Sequence, residues 1–156
     1  MNEKLTAEIH ALLCRFQQAF DTHDWRLLSE CLAEELFTDY SSFRGTLPGR
    51  VAREDYIALR KDALSGLKMQ HNFSNLQLAL RDGQVQGRCN YSIYRFAQKE
   101  VGETRDGYFH SFGSYVFEFQ QGERGGGWVI SSIVQVLLAN QGNPTLHLGA
   151  AELRRE

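Results

Sequence analysis

What most restricts this chain is a change of hydrophobic period near residue 67. Beyond it, apolar and aromatic residues alternate along Lys68 to Leu80, Gln84 to Phe96, Tyr108 to Gln121 and Trp128 to Leu138, the two-residue repeat of half-buried strands. Asp82-Gly83 separates the first two runs and favours a hairpin turn, because both residues tolerate positive φ. The last break carries Gly125-Gly126-Gly127. It joins two strands rather than a strand to a helix, so it reads as a hairpin tip and not a phosphate loop. Strands this long in a small domain suit a strongly bent sheet.

The first part of the chain has a different rhythm. Leu5, Ile9, Leu12, Leu13, Phe16, Ala19 and Phe20 follow the spacing of an amphipathic helix of about four turns. That helix stops at Asp21-Thr22-His23-Asp24, residues that compete for backbone hydrogen bonds and favour helix ends. Trp25, Leu28 and Leu32 resume the spacing for a short second helix, with Asp24 at its start and Trp25 as a packing anchor. Glu34 to Phe43 reads as a strand, ended by Gly45, Pro48 and Gly49. A third helix is expected over Arg53 to Leu67, with Tyr56, Leu59, Ala63 and Leu67 on one side. Helices followed by a meander of antiparallel strands predict an α+β domain. A bent sheet wrapped round the long helix makes a cone with an apolar interior, a natural small-molecule site. Residues 1–140 form one domain in this reading, and 141–156 a C-terminal tail containing Asn143-Pro144.

Composition narrows the function classes. The 156 residues are 42% hydrophobic and 12% aromatic with a net charge of −2, enough for a core without staples. Basic residues are scattered, so no nucleic-acid footprint is present. No window is apolar for long enough to span a membrane as a helix. The N-terminal MNEKLTAEIH lacks the apolar run of a secretory signal. Cys14, Cys31 and Cys89 are an odd number and widely spaced, which suggests reduced thiols in a cytoplasmic setting. Cys14 and Cys31 fall on helical apolar faces and are expected to be buried. No Cys/His cluster or His-x-x-x-His spacing offers a metal site, and no cofactor motif is seen.

Strand alternation sorts the side chains of the meander. If His71 points into the cone, Met69, Phe73 and Asn75 accompany it. Tyr91, Ile93 and Arg95 then face in from the next strand, and Phe109, Ser111 and Tyr115 from the one after. Asn90, Tyr94, His110 and Glu118 face out. One bulge reverses this sorting.

Two local patterns carry a family resemblance. Phe20-Asp21-Thr22-His23-Asp24-Trp25 and Asp39-Tyr40-Ser41-Ser42-Phe43 resemble the aromatic-Asp-x-x-Asp-Trp and Asp-Tyr-x-Ser-Phe of scytalone dehydratase, and Gln70-His71 resembles a Gln-His pair on its next strand. The element order resembles the nuclear transport factor 2-like (cystatin-like) fold, within it the SnoaL-like group, over roughly residues 5 to 140. The resemblance implies a cone-shaped α+β barrel, with N-terminal helices packed in a strongly curved mixed or antiparallel sheet. Bile-acid dehydratases of the same group also pair an Asp after the first helix with a strand His, at the positions of Asp21 and His71. This chain departs from scytalone dehydratase in three places: Phe20 stands where that family has a tyrosine, Arg95 where it has a second histidine, and Ser111-Phe112-Gly113 where it has Ser-x-Asn.

The implied chemistry is cofactor-free loss of water from a hydroxylated cyclic ketone or polyketide-like molecule. Such a reaction needs a base for the α-proton, an acid for the departing hydroxyl and a donor for the developing enolate. His71 suits the first two roles, since an imidazole titrates near working pH. Asp21 would orient its ring, and Tyr40 would polarise the carbonyl. Phe16, Phe20, Phe43, Phe73, Tyr91, Ile93, Arg95 and Ser111 are the expected substrate-binding residues. Isomerisation or cyclisation by the same set, and a non-catalytic binding module on the same fold, remain open alternatives. So do plainer readings of single residues: Asp21 as a helix cap, Tyr40 as a core tyrosine, Arg95 as a solvated strand-end charge. Apolar residues on the outer sheet face, such as Phe112 and Val116, predict self-association. A dimer follows the commonest habit of the fold, and a trimer the scytalone dehydratase resemblance.

Overall fold

A computed structural model describes residues 2–98 and 107–147 of the chain. Helix α1 (Glu3–Asp21) opens on Asn2, whose side chain accepts the Leu5 N–H and satisfies one of the free donors of the first turn. Helix α2 (Trp25–Cys31) starts the same way, with Asp24 Oδ1 accepting the Leu27 N–H at 2.9 Å. His23 completes the corner between them by adopting a positive φ of 53° and stacking on Trp25.

The sheet consists of β1 (Leu32–Asp39), β2 (Gly49–Ala52), β3 (Leu67–Arg81), β4 (Gln84–Ala97), β5 (Phe109–Gln121) and β6 (Trp128–Gly142) in the order β2-β1-β6-β5-β4-β3. All neighbours are antiparallel except β1 and β6, so the sheet is mixed. Helix α1 lies in its concavity and buries Ile9, Leu12, Leu13, Phe16, Ala19 and Phe20. Each large apolar side chain so buried contributes about 1.5–3 kcal/mol.

Several boundaries differ from the sequence reading. The first strand ends at Asp39, not Phe43, because Asp39 Oδ1 accepts both the backbone N–H and the hydroxyl of Ser41. These bonds turn the chain into the one-turn helix α3 (Ser41–Arg44), which closes on Gly45 at φ 67°. Ser42 fastens this turn to β6 by accepting the Leu137 N–H at 2.8 Å. The short strand β2 lies where only a loop was expected. Helix α4 (Arg53–Leu64) ends three residues before Leu67 because Leu67 already pairs with Ala97. Cys14 is exposed rather than buried, its Sγ 3.6 Å from His10 Nδ1; Cys31 and Cys89 are buried as small hydrophobes.

Two bulges matter for the site. The β3–β4 register slips between Ser74 and Gln77, where Asn75 takes φ 55° and is exposed; Asn75 therefore does not face inward. The β5–β6 register slips between Phe112 and Gly113. A Cβ on Gly113 would lie 2.0 Å from the Val136 carbonyl oxygen, so this bulge has no room for the asparagine found there in scytalone dehydratase. Elsewhere the alternation holds: Met69, Tyr91, Ile93, Arg95, Phe109, Ser111 and Tyr115 are buried, and Asn90 is exposed. The segment after β6 does not leave the body of the protein. Pro144–His147 forms a 3₁₀ turn that buries His147; residues 148–156 of the expected tail lie outside the described residues.

Candidate active site

Asp21 ends α1, an unfavourable place for a carboxylate because helix C-termini carry negative partial charge. Its position is offset by three contacts with one residue of β3. Asp21 accepts the His71 backbone N–H on both oxygens, at 2.9 and 3.0 Å, and Oδ1 lies 2.6 Å from His71 Nδ1. This geometry puts the ring proton on Nδ1 and leaves Nε2 as the acceptor. Burial lowers the His71 pKa from its ordinary value, opposed by the hydrogen bond and charge of Asp21 and assisted by the Arg95 cation. The imidazole is thus held neutral, in the state a general base requires. Phe20 stacks on it with centroids 5.1 Å apart and planes 24° from parallel, so the ring is fixed at its face as well as its edge.

His71 opens on an internal cavity of about 30 Å³, room for roughly two waters. Phe16, Phe20, Tyr40, Phe43, Ile93 and Arg95 also line it. Tyr40 and Tyr56 meet there, hydroxyl to hydroxyl, at 2.8 Å. Burial raises the Tyr40 phenol well above the usual tyrosine range, so it stays protonated as a donor. The Arg60 guanidinium covers both rings, 4.3 Å from the Tyr40 centroid and 4.9 Å from that of Tyr56.

Arg95 is 2% exposed. Its guanidinium lies between the rings of Phe43 and Phe109, 5.6 and 5.3 Å from their centroids, and Nη1 donates to Ser111 Oγ at 2.8 Å. His147 arrives from the 3₁₀ turn, its Nε2 2.8 Å from Arg44 Nη2. Because Arg44 can only donate, His147 Nε2 accepts and its ring proton is on Nδ1. Burial and the charges of Arg95, Arg44 and Arg60 hold His147 well below the ordinary imidazole range. Among the described residues, no group of three His, Cys, Asp or Glu converges as a metal site would require.

Of the residues singled out in the sequence, three stand elsewhere. Phe73 lies two residues, or about 7 Å, farther along β3 than His71. It packs on His10 in a separate groove that Asp21 and His71 also line. Tyr91 packs on Tyr115, centroids 4.6 Å apart, behind the cavity lining. Ser111 touches the cavity only through Arg95.

Sequence reasoning missed Tyr56, Arg60 and His147. The sequence places Tyr56 on the apolar side of a helix, where its hydroxyl is the available signal. His147 follows a break in pattern and carried none.

A larger outer pocket of about 270 Å³ adjoins the cavity, sharing Tyr40, Arg44, Tyr56 and Arg60 with it and adding Leu47, Val51 and Leu59. The site is thus a small chamber of aromatic and basic residues behind a wider pocket that mixes apolar side chains with Thr38, Thr46 and Asp62.

Comparison with known proteins agrees with this architecture. The family model for the SnoaL-like domain matches residues 4–134. No curated protein matches the chain in sequence. A solved structure from Kribbella flavida is similar with a TM-score of 0.84 at 18% identity, over 94% of this chain and 99% of its own. A candidate aromatic ring hydroxylase from Novosphingobium aromaticivorans has a TM-score of 0.79 at 17% identity, over 95% of this chain and 99% of its own. A candidate scytalone dehydratase from the same organism has a TM-score of 0.71 at 13% identity, over 89% and 91%. Identities this low establish a shared fold, and the family match spans most of the chain. The chain belongs to the SnoaL-like domain family.

Proposed function

We propose that this protein is a dehydratase that removes a proton next to a carbonyl of a hydroxylated cyclic ketone or polyketide-like small molecule. The observation carrying this reading is the His71–Asp21 pair: a neutral buried imidazole, its tautomer set by a carboxylate, with its second nitrogen available to a cavity. His71 Nε2 takes the α-proton, and the electron pair of that C–H bond forms the enolate. Tyr40, kept protonated and paired with Tyr56, donates to the carbonyl oxygen as negative charge grows there. The enolate then re-forms the carbonyl, the C–O bond to the β-hydroxyl breaks, and the imidazolium returns its proton to the departing oxygen as water. Asp21 stabilises the transient imidazolium. The likeness to a candidate scytalone dehydratase is consistent with this chemistry.

Isomerisation and ring closure begin with the same proton transfer, so the product distinguishes them. The test is a panel of β-hydroxy cyclic ketones, followed by enone absorbance and mass loss of water. His71→Ala is expected to abolish turnover while ligand binding persists; unchanged turnover would remove the reading.

A further inference from the structure

Among the described residues, the cavity lining combines Arg44, Arg60 and Arg95 with His71 and His147 and includes no carboxylate, while Asp62 lines the adjoining outer pocket with Arg44 and Arg60. Asp21, the acid of the dyad, reaches the chamber only through the His71 ring. Among the described residues, no acid pairs with Arg95. Its guanidinium faces are covered by Phe43 and Phe109, and Nη1 is engaged by Ser111 and more distantly by the Phe109 carbonyl at 3.4 Å. Among the described residues, its buried Nε–H has no acceptor. Burial, with the nearby charges of Arg44 and Arg60, pulls this group down only to about 10, so it remains a cation at neutral pH. His147 Nδ1, the protonated nitrogen of that ring, is likewise buried without a partner among the described residues. Among the described residues, the wall of this cavity thus carries an uncompensated buried charge and two buried N–H donors without acceptors. Leaving such groups unsatisfied is costly in a folded protein, and an acceptor-only anion beside the guanidinium offsets the charge.

We propose that the ligand of this cavity carries an anionic oxygen, a ring carboxylate or an acidic ring enol, seated against the edge of the Arg95 guanidinium. The chamber has room for such a group, and the wider outer pocket, with Leu47, Val51 and Leu59 in its wall, for the ring that bears it. As a statement about the substrate, this rests on the dehydratase reading and narrows it to hydroxylated cyclic keto acids or enolised diketones. As a statement about binding, it stands apart.

The probes are benzoate for the carboxylate and 1,3-cyclohexanedione for the acidic enol, with benzamide and cyclohexanone as neutral counterparts, titrated into the full chain by NMR at pH 7. At least one anion is expected to bind about tenfold or more tightly than its neutral counterpart, the ratio expected for a charge-assisted hydrogen bond. Whichever anion binds identifies the source of the charge. Arg95→Met should remove that preference, and Arg95→Lys should restore part of it. Thermal melts show whether each variant is folded. Equal binding of charged and neutral probes, an Arg95→Met protein that keeps the preference, or no binding of either anion to the unmodified protein overturns the proposal. His71→Ala keeps the anion preference whether or not the dyad is catalytic, so the two readings fail separately.

Discussion

The Asp21 carboxylate contacts His71 twice over, through the ring Nδ1 at 2.6 Å and through the backbone N–H at 2.9 and 3.0 Å, across a sequence separation of 50 residues. One side chain thus fixes both the position of β3 against the end of α1 and the tautomer of the imidazole. A catalytic effect and a structural effect are expected from the same residue, and they can be separated.

Asp21→Asn keeps an acceptor for the backbone N–H but replaces the charge that supports the imidazolium. Turnover is expected to fall about 10²–10⁴-fold, the usual contribution of positioned acid–base catalysis. Asp21→Ala should in addition lower the melting temperature, because the His71 N–H loses its partner. Steady-state rates and circular-dichroism melts of both variants check this.

The pH dependence follows from burial. A base must be unprotonated, and His71 is held below the ordinary imidazole value of about 6.5. The rate should therefore stay level as pH falls through 6.5 and decline only below it. Stability has the matching sign. His71 and His147 are depressed in the folded state, so unfolding takes up protons below about pH 6.5 and the folded state weakens as pH drops toward their folded values. Melts between pH 7.5 and about 5 should show this loss, and His147→Gln should flatten it.

Tyr56→Phe removes the hydroxyl partner of Tyr40 and leaves a buried phenol unsatisfied, a cost of about 1–3 kcal/mol. Tyr40→Phe should cost a similar amount. The double variant should cost less than the sum, because neither hydroxyl is then stranded. Urea unfolding of the four proteins measures the coupling.

Gly113→Ala places a methyl group within 2.0 Å of the Val136 oxygen and 2.8 Å of the Tyr91 ring. The β5–β6 bulge cannot relax around backbone, so a loss of about 2 kcal/mol or more is expected. Gly83→Ala is a useful contrast. Nothing lies within 4 Å of its Cβ, and only its φ of 79° opposes the change, at a cost of about 1–2 kcal/mol.

Much of the frame was legible in the residues. Alternation along β3 to β5 sorted Ile93, Arg95, Phe109 and Tyr115 inward, because a strand's two-residue period survives wherever no bulge intervenes. It failed at Asn75, where one does. The break at Asp21-Thr22-His23-Asp24 marked the helix corner, since these side chains compete for the same backbone donors that a helix end leaves free. The Asp21 and His71 positions were legible through their resemblance to a known pattern, not through local periodicity.

The sequence by itself determined the order of helices and strands and the faces of the long strands, because both are set by interactions a few residues apart. Only the tertiary structure decided that Tyr56 meets Tyr40, that Arg95 is buried between two phenylalanines with no acid beside it among the described residues, and that His147 returns from beyond the last strand into the cavity. Tyr40 and Tyr56 are 16 positions apart, Arg95 is 52 from Phe43 (95 − 43) and 14 from Phe109, and Arg44 is 103 from His147. These contacts depend on how the sheet curves round α1, and a one-dimensional pattern does not encode that curvature locally.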